Sequence, residues 1–301
     1  MRALVAGWFS FPEMGATAGD LMARDVVRRW LDELGIATDV AVAPPFTGGV
    51  DWTVVDPATY SHVVFVCGPF GNGWPLTDFL ARFQGCTLVG VDVSMLQPVE
   101  EWNPFAHLIE RDSTRRTHPD LAFLAEPPRV PVVGLCLVHP QKEYGKRGRH
   151  PEVHDALERL VARHDVAVVR IDTRLDENAV GLRSTAQIES LIARVDLVVT
   201  TRLHGLVLAL KNGAPALAVD PIEGGAKIAA QGGTVEWPVV LTSTQIDDEQ
   251  LERAFQFCLT AEARDRAGRA RGLAADRLGP ARAEFAHAFG ALGSDRGRTG
   301  V

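Results

Sequence analysis

The chain has 301 residues, 46% of them hydrophobic, which exceeds what one core ordinarily serves and is ample for two domains. With 31 lysines and arginines against 38 aspartates and glutamates, the net charge of -7 argues against a nucleic-acid binder, whose affinity comes from neutralising phosphates. The four cysteines, Cys67, Cys86, Cys136 and Cys258, are scattered, with no C-x-x-C pair and no histidine at metal-ligand spacing, so reduced thiols in a cytoplasmic protein are expected. No stretch approaches the roughly 18 apolar residues of a membrane span, and a strand begins almost at Met1, so neither a transmembrane segment nor a signal peptide is expected.

The first third alternates as a doubly wound sheet does. Leu4 to Ala6 reads as a strand, and Asp20 as the cap of a helix whose Leu21, Val27, Trp30, Leu31 and Leu34 share a face up to Gly35. Ile36–Ala43, His62–Cys67 and Thr87–Val91 follow as strands, each closed by turn residues, with a helix near Leu76 to Phe83. The glycine-rich turn Gly68-Pro69-Phe70-Gly71-Asn72-Gly73 lacks both the G-x-G-x-x-G spacing and a P-loop lysine, so a plain turn is favoured over a ligand cradle. From His107 to Pro128 the pattern is irregular, and Glu126-Pro127-Pro128-Arg129 reads as an interdomain linker, since two prolines enforce extended backbone.

A second βα series starts at Pro131. Val132–Val138 and Val166–Ile171 read as strands, Glu152–Arg163 as a helix with Pro151 in its first turn, and Ser184 to Gln187 as a capping box. Then comes the stretch from Val195 to Lys227. A β-branched strand leads to a polar turn with Arg202 and His204, a helix carries Leu203, Leu206, Val207 and Leu210, Asn212-Gly213 and Pro215 stop it, and a second strand ends in a loop to Lys227. Val239–Leu241 is a last strand, Asp247 caps a helix with Ile246 and Leu251 as its staple, and an Ala- and Arg-rich helical region runs toward Phe289. There Arg264, Arg266, Arg269, Arg271, Arg277 and Arg282 alternate with acids, which reads as a solvated face.

Ligands of an open parallel sheet bind beyond the carboxyl ends of its strands, where helix N-termini favour anions. Arg202 offers a fixed fork for carboxylate or phosphate and His204 an acid or base. A salt-bridged arginine and a helix-capping histidine would give the same pattern. The loop His139 to His150 carries Lys142, Lys146, Arg147 and Arg149, and reads equally as an anion-binding loop or a solvated one. His150 and His154 have the four-residue spacing of two zinc ligands but lack a third, and there is no G-x-S-x-G elbow or cysteine-histidine pairing for covalent catalysis.

The run IESLIARVDLVVTTRLHGLVLALKNGAPALAVD, followed by Lys227, resembles the C-terminal signature of the polysaccharide pyruvyltransferase family: helix, hydrophobic strand, Arg-Leu-His turn, small-residue helix, Gly-x-Pro, strand, downstream lysine. Gly19-Asp20, Cys67-Gly68-Pro69, Glu110-Arg111-Asp112-Ser113 and Asp120 to Leu124 are similar to further elements of that family, whereas Asp220-Pro221 stands where a tyrosine is frequent and Gly224-Gly225 alters the loop before Lys227. The resemblance implies an α/β, GT-B-like fold, two Rossmann-type domains with parallel sheets facing across a cleft.

It further implies phosphoenolpyruvate as co-substrate, with no other cofactor and no metal, and a carbohydrate-type acceptor. Arg202 and His204 would be catalytic. The implied binding set is Lys227, Arg149, Arg147, Lys146, Thr201, Gly205 and Asp20. The expected domains are 1–127 on the acceptor side, 128–245 on the donor side, a helical segment 246–292 that crosses back to the first domain, and a disordered tail 293–301. A homo-oligomer is compatible with all of this. Two other readings stay open: a glycosyltransferase with a sugar-nucleotide donor, for which Glu223 is the nearby carboxylate, and a non-catalytic binding protein derived from the family.

Overall fold

A computed structural model describes residues 1–137, 147–225, 227–244 and 246–295, with side chains to residue 289. The chain divides into two compact units, Met1–Pro128 and Arg129–Val301.

In the first unit β1 (Arg2–Ala6), β2 (Ala37–Val40), β3 (His62–Val66), β4 (Pro69–Phe70) and β5 (Thr87–Met95) form a parallel sheet in the order β2-β1-β3-β5-β4, with β6 (His107–Asp112) also paired to β5. One face carries an aromatic core, Phe11, Phe65, Phe70, Phe79, Phe83 and Phe105, which includes residues of α2 (Leu76–Arg82). The other packs Val5, Val64 and Val66 on Ala23 and Val27 of α1 (Ala18–Glu33). The cap of α1 is Thr17 and not Asp20, which sits three residues into the box: its Oδ2 accepts from the Thr17 N–H at 2.7 Å and the Thr17 hydroxyl at 2.8 Å.

Strand β6 lies in the segment that looked irregular. Its second half, Glu110-Arg111-Asp112, is charged and hides the strand from a hydrophobicity argument, yet Glu110 is fully buried because Arg115 and Arg116 bond its carboxylate at 2.9 and 3.1 Å.

In the second unit β7 (Val132–Cys136), β8 (Ala167–Arg170), β9 (Leu197–Thr200), β10 (Ala216–Asp220) and β11 (Val240–Thr242) are all parallel, in the order β11-β10-β9-β7-β8. The chain therefore reverses its direction of growth between β7 and β9, the topological switch point at which such sheets bind ligands. Helices α3 (His150–Ala162), α4 (Thr185–Ile192), α5 (Leu203–Lys211), α6 (Lys227–Thr234) and α7 (Asp248–Cys258) cover the sheet. Two Rossmann-type units in succession are the GT-B-like class that the sequence predicts.

Helix α8 (Ala261–Asp295) buries one face in the core of the second unit beside α5, where Ala263, Ala267 and Ala270 are small enough to fit. The helix is continuous to Asp295, into the segment expected to be a disordered tail, and residues 296–301 lie outside the described residues. Among the described residues no helix is long and apolar enough to cross a membrane.

Candidate functional site

The site grows from the end of β9. Its four residues are wholly buried, as a central parallel strand requires, and Cys136 pairs with Thr200 across the switch point. The Thr200 hydroxyl donates to the Cys136 carbonyl at 2.8 Å and accepts from the Arg202 N–H at 2.9 Å, which fixes the turn. A Cβ on Gly205 would lie 2.1 Å from that hydroxyl and 3.2 Å from the Cys136 sulfur, so only glycine lets α5 begin this close to the strands. Gly205 thus shapes the site by packing.

Arg202 is the N-cap of α5 and makes no side-chain cap bond. Its Nη1 lies 3.5 Å from Asp172 Oδ1, the two side chains being 13% and 7% exposed, and its Nε is buried without a hydrogen bond. Asp172 follows β8 and is anchored independently, accepting from the N–H groups of Arg174 at 2.9 Å and Ala179 at 3.1 Å. The guanidinium is therefore held by a pre-set carboxylate while part of its donor capacity is unspent. His204, two residues on in the first turn of α5, is exposed. Thr201 is buried, and its hydroxyl lies 3.1 Å from His154 Nε2 of α3. That bond gives the histidine of the suspected zinc spacing a partner on the polar turn.

Lys227 does not end a loop: it opens α6 and is exposed. Asp220, buried at the end of β10, accepts from the N–H groups of Ile222 and Ala229 at 3.2 Å each and so draws the start of α6 back to the strand end. Arg147 and Arg149 join the same region through backbone. Gly148 bridges Ile222 antiparallel, the Arg149 N–H donates to the Pro221 carbonyl and the Glu223 N–H to the Arg147 carbonyl, each at 2.8 Å. Arg149 also pairs with Glu152 at 3.1 Å. Lys146, with the rest of the loop from residue 138, lies outside the described residues.

The edge of the second sheet thus brings together Arg202, His204, Thr201, Gly205, Lys227, Arg147 and Arg149. Asp20 is in the first unit, its carboxylate engaged at the start of α1. Asp172 does not stand out in the sequence, and Asp220 does so only as a departure from the family's tyrosine. Each closes or follows a parallel strand, the position at which an aspartate signals an edge function.

In the first unit Cys67, Asp92 and Asp120 place one ligand atom each within 4.8 Å of one another. These groups are already partnered: Asp120 accepts from Arg111 at 2.8 Å and Asp92 from the Leu121 N–H at 3.1 Å. Burial, with Asp20 and Asp92 nearby, pushes the Cys67 thiol up to about 12.

Residues 119–222 match the family model for polysaccharide pyruvyl transferase. The matched region runs from Pro119, near the end of the first unit, to Ile222, in the loop after β10. It holds Asp172, Thr201, Arg202, His204 and Asp220, and stops short of Lys227. No curated protein matches the sequence. Solved structures similar to the chain include the calicheamicin glycosyltransferase CalG4, at 15% identity over 100% of this chain and 99% of that one with a TM-score of 0.36. The spinosyn forosaminyltransferase SpnP is 14% identical over 91% and 94%, with a TM-score of 0.34. The UDP-GlcNAc 2-epimerase of Methanocaldococcus jannaschii is 11% identical over 87% and 93%, with a TM-score of 0.33.

Proposed function

We propose that this chain transfers the pyruvyl group of phosphoenolpyruvate to a sugar or glycoside as a ketal. The observation that carries the reading is the switch-point turn. There Arg202 is pinned through Asp172 with its Nε unspent and His204 stands beside it, within a region that matches the pyruvyl transferase model. Lys227 and the backbone-tethered Arg147 and Arg149 add positive charge on the same sheet edge.

Phosphoenolpyruvate carries a carboxylate and a phosphate, and the arginine fork suits either group bidentately. Protonation of its methylene carbon makes the adjacent carbon an oxocarbenium-like electrophile. One acceptor hydroxyl adds to that carbon, the bond to phosphate breaks, and a second hydroxyl closes the ketal. Of the two hydroxyl protons, one balances the methyl group and the other leaves with phosphate, so the transfer is redox-neutral and requires no nicotinamide. His204 supplies the titratable group and Lys227 with Arg202 the fixed positive charge for the departing phosphate.

The test is phosphate release from phosphoenolpyruvate in the presence of glycosides, with the pyruvylated product identified by mass spectrometry. His204→Ala is expected to abolish both signals. Full turnover in that variant, or release of nucleotide from a sugar-nucleotide donor instead, would overturn the reading.

A further inference from the structure

The first sheet has its own switch point, between β1 and β3, and the turn that follows β3 is built there as a rigid platform. Trp8, just after β1, lies over Gly68: a Cβ at that glycine would be 2.2 Å from the indole Cδ1, and the indole N–H donates to the Pro69 carbonyl at 3.0 Å. Strand β4 then pairs with Ser94 and Met95, so the turn 71–75 and the segment Leu96-Gln97 leave the sheet side by side. They are stitched together. The Leu96 N–H donates to the Phe70 carbonyl at 2.9 Å, the Asn72 N–H donates to Gln97 Oε1 at 3.2 Å, and a Cβ on Gly71 would be 2.9 Å from Leu96 Cδ1.

On this fixed base Trp74 is 75% exposed and Leu96 66%. An indole can bury on the order of 200 Å² in contact, and here a well-anchored loop holds it in solvent. The two stitched segments carry no charge of their own: residues 68–75 and 94–97 contain no lysine, arginine, aspartate or glutamate, and the charged pair Arg111 and Asp112 meets them at Ser94, at the strand end, by bonds of 2.7 and 2.6 Å. Asn72 is exposed, and Gln97, whose oxygen is occupied by the Asn72 N–H, keeps its amide N–H groups to donate. An exposed indole carried on the same two stitched, uncharged segments as two side-chain amides suits a neutral polyhydroxyl ring, whose C–H face would lie on the indole while its hydroxyls meet the amides.

We propose that Trp74, Asn72 and Gln97 form a binding platform for a neutral pyranoside. The assignment of this platform to the acceptor rests on the transferase reading above; the binding chemistry does not.

The test is saturation-transfer NMR on the full chain with a panel of methyl pyranosides, in the absence of phosphoenolpyruvate, alongside calorimetry with phosphoenolpyruvate. Wild type is expected to bind at least one member of the panel. Trp74→Ala is expected to weaken it about tenfold and Trp74→Phe to restore part of it. Donor binding is expected to be the same in all three proteins. Equal glycoside binding by Trp74→Ala and wild type, or no binding of any member by wild type, overturns the platform. The same holds if light scattering shows that Trp74→Ala only breaks a self-association and leaves glycoside binding intact. Glycoside binding through Trp74 with no binding of phosphoenolpyruvate would keep the platform and reject the donor.

Discussion

Arg202 is held by Asp172, and Asp172 is held by something else. The carboxylate is fixed by two backbone N–H groups of its own loop, so it reaches Nη1 of Arg202 at 3.5 Å as a preformed post. The two residues should therefore fail differently. Asp172→Ala strands two backbone donors as well as a guanidinium, and is expected to destabilise the protein by about 2 kcal/mol, seen as a lower midpoint in thermal unfolding. Arg202→Ala leaves the carboxylate bonded and is expected to cost less stability. Its effect falls on turnover, with kcat/KM for phosphoenolpyruvate down about 100-fold, and Arg202→Lys is expected not to rescue it because an ammonium lacks the planar fork.

Gly205 is where packing and site geometry meet. Thr200, whose hydroxyl a new Cβ would strike at 2.1 Å, is wholly buried and bonded on both sides, so it has nowhere to retreat. Gly205→Ala is expected to lower stability by about 2 kcal/mol in denaturant unfolding and to reduce turnover by shifting the start of α5.

What the sequence showed and what it hid have physical reasons. The strands buried on both faces, β3, β7 and β9, are short β-branched runs and stand out as such. The turn of Arg202 and His204 was legible because polar residues interrupt two apolar elements. Strand β6 was hidden by its charges, which only the arginines that follow it in sequence make tolerable in the interior. Helix α6 was hidden by Gly232 and Gly233, and what sets its start is the Asp220 carboxylate seven residues before Lys227. Asp172 could not be linked to Arg202 from the sequence, because the contact joins loops after β8 and β9 that meet only once the strand order is known. In the long α8 the arginines alternate with acids and read as a solvated face, which hides that Ala263, Ala267 and Ala270 belong to the core.

Glu110 predicts an acid-sensitive first unit. Burial pushes its carboxyl up, but hydrogen bonds from Arg115, its own backbone N–H, Arg116 and Ser113 outweigh that and hold it at about 2. A carboxyl depressed on folding stabilises above its unfolded value of 4.5 and loses that contribution as pH falls toward about 2. Glu110→Gln is expected to be less stable than wild type at neutral pH, with the gap closing between those two pH values. Thermal unfolding across that range checks it.

The thiols are expected to be inert. Burial, reinforced for Cys67 by Asp20 and Asp92, pushes Cys67 and Cys258 up to about 12, and burial raises Cys136 as well. Iodoacetamide at pH 8 is expected to leave all three unmodified in the native protein and to label them in urea, as read by peptide mass spectrometry.

The central claim is that the switch-point arginine of the second sheet holds phosphoenolpyruvate. Calorimetric titration of phosphoenolpyruvate into wild type and Arg202→Ala tests it most directly. A single saturable site in wild type that is lost in the variant, while the variant's thermal midpoint stays near that of wild type, is the predicted result. No binding to wild type, or equal binding to both proteins, would contradict it.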